Sequence, residues 1–335
     1  MKVTAREFQS VGVPIFFLAV LVLLPLLFTT GFMVNALINV VRWTIFALAF
    51  DLVAGHIGAV SLGQPIFYGI GAYLTAFLAS KLGLGFLGCM LVAAVSMAIL
   101  AILAGIAFFR IRDVTFAIGT LGAAIVTQLI ANSADKLTGG ALCRTGIPQP
   151  QLAFPFIKGA IGITQPIQYY FLLLPFLALT ILIYLALIRS RVGRAFTAVR
   201  EDEAHASAVG IFPLRYKLLA FAVSGGLIGA LGSWQAQYVT VICPSDMGID
   251  ITTALLIMVF VGGAGRLSGV VIGAVIFSIL PPFLQAVGSQ YFQPAYQQVL
   301  YGVILIAVML YMPEGLDGLA SRLIRRFRRQ KKEGG

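Results

Sequence analysis

The sequence predicts an all-α polytopic membrane protein. Three observations lead there. Hydrophobic residues make up 60% of the 335 positions and mean hydropathy is +0.99, whereas soluble domains carry about 45–50% apolar residues. The apolar residues fall into runs of the ~20 residues that a spanning helix needs. The 36 glycines suit helices that must approach closely without a hydrophobic force between them.

Spans are expected near 13–30, 33–54, 59–80, 84–108, 114–132, 168–188, 217–241, 250–265, 269–288 and 296–312, about ten in all. The basic start MKVTAREFQS and the apolar run after it resemble a signal peptide. No small-x-small cleavage site follows, so the run is read as an uncleaved first helix. The basic residues set the topology, because cytoplasmic loops accumulate Lys and Arg. With Lys2 and Arg6 inside, an even count also places Arg110, Arg112, the 189–217 loop, Arg266 and the basic tail inside. Segment 133–167, where Lys136, Arg144 and Lys158 are spread out, falls outside. Both termini are therefore expected in the cytoplasm.

This gives a single transmembrane domain: a first half at about 33–132, an extracytoplasmic segment at 133–167, a charged cytoplasmic loop at 189–217, a second half at about 217–312 and a basic tail at 313–335. The net charge of +11 belongs to loops beside spans, so nucleic acid is not an expected partner. Membrane lipid is.

Two stretches interrupt the helical pattern. GHIGAVSLGQPIFYGIGAYL, at 55–74, holds five glycines and Pro65; VGGAGRLSGVVIGAVIFSILPP, at 261–282, holds five glycines and a proline pair. Gly/Pro-interrupted segments in matching places of two halves point to duplicated, inverted-repeat-like transporter halves and a substrate pathway. Plain small-residue packing accounts for the same glycines.

Residues able to carry chemistry are few. The chain has no phosphate-binding G-x-x-x-x-G-K-[ST] loop, no H-E-x-x-H and only two histidines, His56 and His205. No enzyme, metal or cofactor is expected. Arg42 and Asp51 are nine residues apart, on opposite sides of a helix with ~3.6 residues per turn, so they should not pair. Asp51 and His56 fall near a helix end where they can reach water, while the deeper Arg42 must face protein or an aqueous cavity. Cys89 reads as a small buried hydrophobe. Cys143 and Cys243 share the predicted outer face. A bridge between them would close a loop of about 100 residues and could restrict motion; two free thiols are the alternative.

The loop RSRVGRAFTAVREDEAHASAVGIFPLRYK, at 189–217, is the charged exception in a chain that is 10% charged. Phe196, Val199, Ala206 and Val209 recur at helical spacing, and Gly210 followed by Pro213 is a stop signal. A short amphipathic helix is expected at about 194–209, with Arg200, Glu201, Asp202 and Glu203 facing outward.

The blocks GRAFTAVREDEAHASAVGI, YKLLAFAVSGGLIGALGS, VFVGGAGRLSGVVIGAVI and LYGVILIAVMLYMPEGLDGL, with DLVAGHIGAVSLGQPIFYGIGAYLTAFL and the LTGG at 137–140, resemble the permease subunits of branched-chain amino-acid ABC importers, of the LivM type. The resemblance covers about 35–325. It implies a bacterial inner-membrane permease that moves branched-chain or related hydrophobic amino acids; family members also carry urea and short amides. It further implies a second homologous permease, two cytoplasmic ATP-binding subunits and an extracytoplasmic binding protein as partners. By position, Arg200, Glu201, Asp202, Glu203 and Gly210 become the ATPase-coupling helix. Gly58, Ser61, Gly63 and Gln64 fall in a broken first-half element, and Ser61, Gln64, Thr120 and Gln128 are expected along the substrate pathway. The chain departs from the family pattern at Asp51, Gln64 and Ala123. The alternative is a self-contained facilitator or channel for a small polar solute such as urea, with the charged loop incidental.

Overall fold

Glycine and proline cut the apolar sequence into helices that pack around one central member. The computed structural model describes residues 17–25, 31–111, 113–152, 161–162, 165–287 and 303. The expected span at 296–312 and the basic tail lie outside these residues, apart from position 303. Along the chain come α1 (17–25), α2 (Gly31–Asp51) with a π-helical turn (Leu52–Ile57), α3 (Gln64–Leu82), α4 (Phe86–Phe108) and α5 (Asp113–Ser133). After the short α6 (Asp135–Thr138) and a two-residue strand pair come α7 (Pro166–Arg189), α8 (Arg191–Glu201), α9 (Glu203–Ala208), α10 (Pro213–Val239), α11 (Ile249–Gly262) and α12 (Leu267–Val287).

Among the described residues, five helical segments, Gly31–Ile57, Phe86–Phe108, Val114–Ser133, Pro166–Arg189 and Pro213–Val239, are long and apolar enough to cross a membrane, and two shorter apolar helices follow them. The chain is an all-α polytopic membrane protein. Burial sorts the spans. α2 and α10 are mostly enclosed, whereas α4 and α5 turn Leu91, Val95, Leu103, Ile118, Val126 and Ile130 outward. Those exposed sides suit lipid or another apolar chain.

α10 is the hub, wedged between α3 and α4. Its approach to α3 is too close for side chains. A Cβ on Gly232 would fall 2.0 Å from the Tyr68 carbonyl oxygen, and one on Gly71 would fall 2.5 Å from that of Gly229. Backbone-to-backbone packing of this kind is the work small residues do between helices in lipid.

Two hydrogen bonds give the direction of α2 against α10. Ser224 donates to the Ala49 carbonyl at 2.6 Å, and Tyr238, near the far end of α10, donates to Asn35 near the start of α2. The two helices are antiparallel. Each is followed by irregular backbone and then a shorter helix: α3 after 58–63, and α11 after 240–248. The second irregular stretch turns inward through a 3-10 turn (Pro244–Met247), and Met247 packs where Gly69 of α3 has no side chain. The glycine-rich stretch at 262–266, matched by sequence pattern to 55–63, sits at the same end of the bundle as that first break.

Candidate functional site

Between Ile57 and Gln64 the chain is not helical, and it runs from an exposed Gly58 to the buried Ser61 and Gly63. Gly58 ends the π-helical turn with φ +81°, a left-handed conformation that glycine adopts without a Cβ penalty. Segment 58–63 then returns into the protein. Thr120, beside it, is seven residues into α5, about 10 Å from that helix's start at 1.5 Å per residue. Ser224, which meets Gln64 at 3.3 Å, is eleven residues into α10, about 16 Å from its start.

Irregular backbone at such depth is tolerated only where protein satisfies its polar groups. Here two threonines do so. Leu62 N–H donates to Thr120 Oγ1 (3.0 Å), and Thr252 Oγ1 of α11 donates to the Leu62 carbonyl (3.0 Å). Thr120 also donates to Ala117 O, so its one hydroxyl proton is committed.

The pathway candidates therefore separate. Ser61, Gln64 and Thr120 come together around the break, and all three are buried. Thr120 holds the backbone. Ser61 Oγ and Gln64 Nε2 have no hydrogen-bond partner among the described residues, while the Gln64 amide lies 3.3 Å from the hydroxyl of Ser224, whose proton goes to the Ala49 carbonyl. Gln128 stands two turns farther along α5, half-buried and close to Gly248.

A second polar cluster lies where the π-helical turn meets α7, α8 and the α11–α12 turn. Asp51 Oδ2 accepts from Tyr184 (2.5 Å), Asp51 Oδ1 accepts from Gly265 N–H (2.8 Å), and His56 Nε2 lies 2.9 Å from the Tyr184 hydroxyl. Asp51 is fully buried. The expectation that it reaches water at its helix end is wrong, because the 263–266 turn covers it. A Cβ on Gly55 would lie 2.4 Å from Gly265 N, so the two glycine breaks touch. Arg200 of α8 completes the cluster by donating from Nη1 to the Gly55 carbonyl. Arg42 and Asp51 take different partners, as expected: Arg42 lies over Trp43 at 5.3 Å and its charge acts on Tyr68.

The charged loop folds as two helices, not one at 194–209. Ser190 caps α8 by accepting from Val192 N–H. Asp202 leaves helical geometry and caps α9, accepting from Ala204 N–H (2.7 Å) and His205 N–H (3.0 Å). An aspartate that bonds the following amides competes with helix continuation, which is the physical reason for the break. Donation from the His205 backbone, then from its ring and from Ala204, holds the Asp202 carboxyl below the usual carboxylate range. Phe196, Val199 and Ala206 are buried as expected, but Val209 is 75% exposed. Glu201 and Asp202 face outward, whereas Glu203 pairs with Lys217. Gly210, at φ +83°, ends the loop's helical part.

At the opposite end, Cys143 and Cys243 form a disulfide with Cα atoms 4.4 Å apart. Arg144 and Ile242 exchange backbone hydrogen bonds beside it. Cys89 is buried and free. Among the described residues, no cluster of His, Cys, Asp and Glu could hold a metal. The sequence reading missed Tyr184, Ser224 and Thr252. Their only signal was a polar side chain within an apolar helix.

A family profile described as "Branched-chain amino acid transport system / permease component" matches residues 32–309. The high-affinity branched-chain amino acid transport system permease protein LivM of Escherichia coli K12 is 27% identical over 332 residues, covering 93% of this chain and 76% of that protein. LivH of Salmonella typhimurium is 25% identical over 299 residues, covering 82% and 91% respectively. BraD of Pseudomonas aeruginosa is 26% identical over 301 residues, covering 85% and 94%. No solved structure matches this chain. With the profile spanning both glycine breaks, the charged loop and the helices that hold them, the chain belongs to the family of branched-chain amino acid transport system permease components.

Proposed function

We propose that this chain is a permease subunit of a bacterial inner-membrane ABC importer for branched-chain or related hydrophobic amino acids, with both termini in the cytoplasm. It works beside a second homologous permease, two cytoplasmic ATP-binding subunits that supply the energy, and an extracytoplasmic binding protein that delivers substrate. It catalyses no reaction itself.

The observation that carries this reading is the 189–217 loop. Two capped helices hold an outward face of Glu201, Asp202 and His205, and beside them Val209 and Phe212 are 75% and 61% exposed. An ordered, charged rim around exposed apolar residues is what a docking surface presents to a soluble partner. A self-contained channel has no use for it. On the pathway side, Ser61 and Gln64 keep polar atoms uncommitted beside the break, as a weak polar lining requires.

The test is uptake into proteoliposomes that hold the whole complex. Uptake should require ATP and all partners; equal uptake by the permease alone would establish the channel. Glu201→Lys is the informative variant at the docking face, because Glu201 is exposed and has no bond among the described residues that the reversal would break. We expect Glu201→Lys to leave insertion unchanged and to lower ATP-driven uptake about tenfold, as rim-charge reversals alter docking. Glu203→Lys would instead disrupt the pair with Lys217, confusing stability with docking.

A further inference from the structure

We infer that Arg200 is the positioning residue that joins α8 to both glycine breaks, so that α8, the 55–58 segment and the 263–266 turn move as one body. The inference rests on the ATP-driven reading above and adds a route for the movement.

Arg200 stands one residue before the end of α8. Its Nη1 donates to the Gly55 carbonyl, 145 residues away in sequence. Its stem lies along Gly58, where a Cβ would come within 3.1 Å of Arg200 Cγ. The same Nη1 lies 3.1 Å from where a Cβ of Gly265 would stand. The residue stays partly open to solvent, but its side chain lies along glycines of the first-half break and of the α11–α12 turn, and a side chain at Gly58 or Gly265 would crowd it.

Electrostatics favours this seat. Gly55 belongs to the last turn of the α2 unit, where carbonyls lack intrahelical donors and the helix dipole favours a cation. Asp51 brings a buried carboxyl to that same helix end, where the dipole opposes it. Tyr184 and Gly265 N–H supply hydrogen bonds to it, and Arg200 is the cation whose field reaches it. A planar guanidinium holds its donor to the Gly55 carbonyl in a fixed direction while its charge acts on nearby Asp51, which a lysine ammonium on a flexible stem does poorly. Asp51 and Gly265 are already bonded to each other, so Arg200 need touch only this pre-joined knot to engage both breaks. Movement of α8 then displaces the backbone at 55–58 and at 263–266 together. Segment 58–63, with Ser61 and Leu62, follows directly from the first of these.

The experiment uses the complete complex in proteoliposomes, with ATP hydrolysis stimulated by the binding protein and substrate uptake measured in the same vesicles. ATP-dependent uptake by the unaltered complex establishes the ATP-driven reading independently of the variants. With Arg200→Ala, stimulated hydrolysis should persist while uptake per ATP falls about tenfold, within the 5–150-fold span of ordinary coupling energies. Arg200→Lys should restore part of that ratio. Should Arg200→Ala fail to reach the membrane, Arg200→Gln, which retains a neutral donor, is read in its place and should also show a reduced ratio. A variant that reaches the membrane with uptake per ATP unchanged, whether both activities hold or fall together, overturns the inference.

Discussion

At the scale of the residue, the structure turns on backbone groups left without helical partners. Leu62 is an apolar residue with no role its side chain could advertise, yet its N–H and carbonyl are the groups that Thr120 and Thr252 hold. Thr120 drew notice in the sequence because it is polar within an apolar helix. Its partner did not, since a backbone amide looks the same at every position. Thr120→Val and Thr252→Val should each lower thermal stability in detergent by about 0.6–2 kcal/mol, the range for interhelical hydrogen bonds in membrane proteins. Thr252→Ser, which keeps the hydroxyl, should lose much less. Equal unfolding temperatures for Val and Ser would show that the clamp contributes nothing.

At the scale of the element, the charged loop shows how one side chain redirects a helical pattern. Apolar spacing across 194–209 is continuous, and it correctly anticipates the burial of Phe196, Val199 and Ala206. The break comes from Asp202, whose carboxylate captures the amides of Ala204 and His205. A capping aspartate at the centre of an amphipathic run is legible only in retrospect, because the same residue on a solvated helix face would have the same neighbours in sequence. Asp202→Ala should speed amide exchange at 204 and 205, and Asp202→Asn, which still accepts hydrogen bonds, should preserve protection. The carboxyl lies below its ordinary range in the folded chain. Its contribution is therefore fully present above the unfolded value near 3.8 and is lost as pH falls through the depressed folded value. Exchange protection at 204 and 205 measured on descending pH should follow that order; protection that grows on acidification would contradict it.

At the scale of the whole molecule, helices from distant parts of the chain interlock. α10 inserts between α3 and α4, and the antiparallel packing of α2 on α10 sets two irregular segments turning into the bundle from opposite ends. The Cys143–Cys243 disulfide staples the end away from the charged loop. Closing a loop of about 100 residues is worth at most ~4.7 kcal/mol by the chain-entropy account. A disulfide there agrees with the proposed topology, because the outer face of a bacterial inner membrane is oxidising. Mass spectrometry of protein alkylated under denaturing conditions before reduction should find Cys89 modified and Cys143 and Cys243 protected. Alkylation of all three would reject the bridge and remove one support for that orientation.

The sequence by itself determined the fold class, the approximate helices, the charged loop and the family. Each of these depends on composition or on order along one segment: a run of ~20 apolar residues spans a bilayer whatever surrounds it, and basic loops report their side directly. Tertiary structure alone decided which breaks meet. Glycines at 55 and 265 read alike as packing residues or pathway residues, because a glycine's role depends on what occupies the space its missing side chain leaves. The structure puts Arg200, Asp51 and each other's backbone there. It also buried Asp51, expected at water, because the residues that cover it come from more than two hundred positions later in the chain. Such burial is a property of the packed assembly of helices, and no local pattern around Asp51 encodes it.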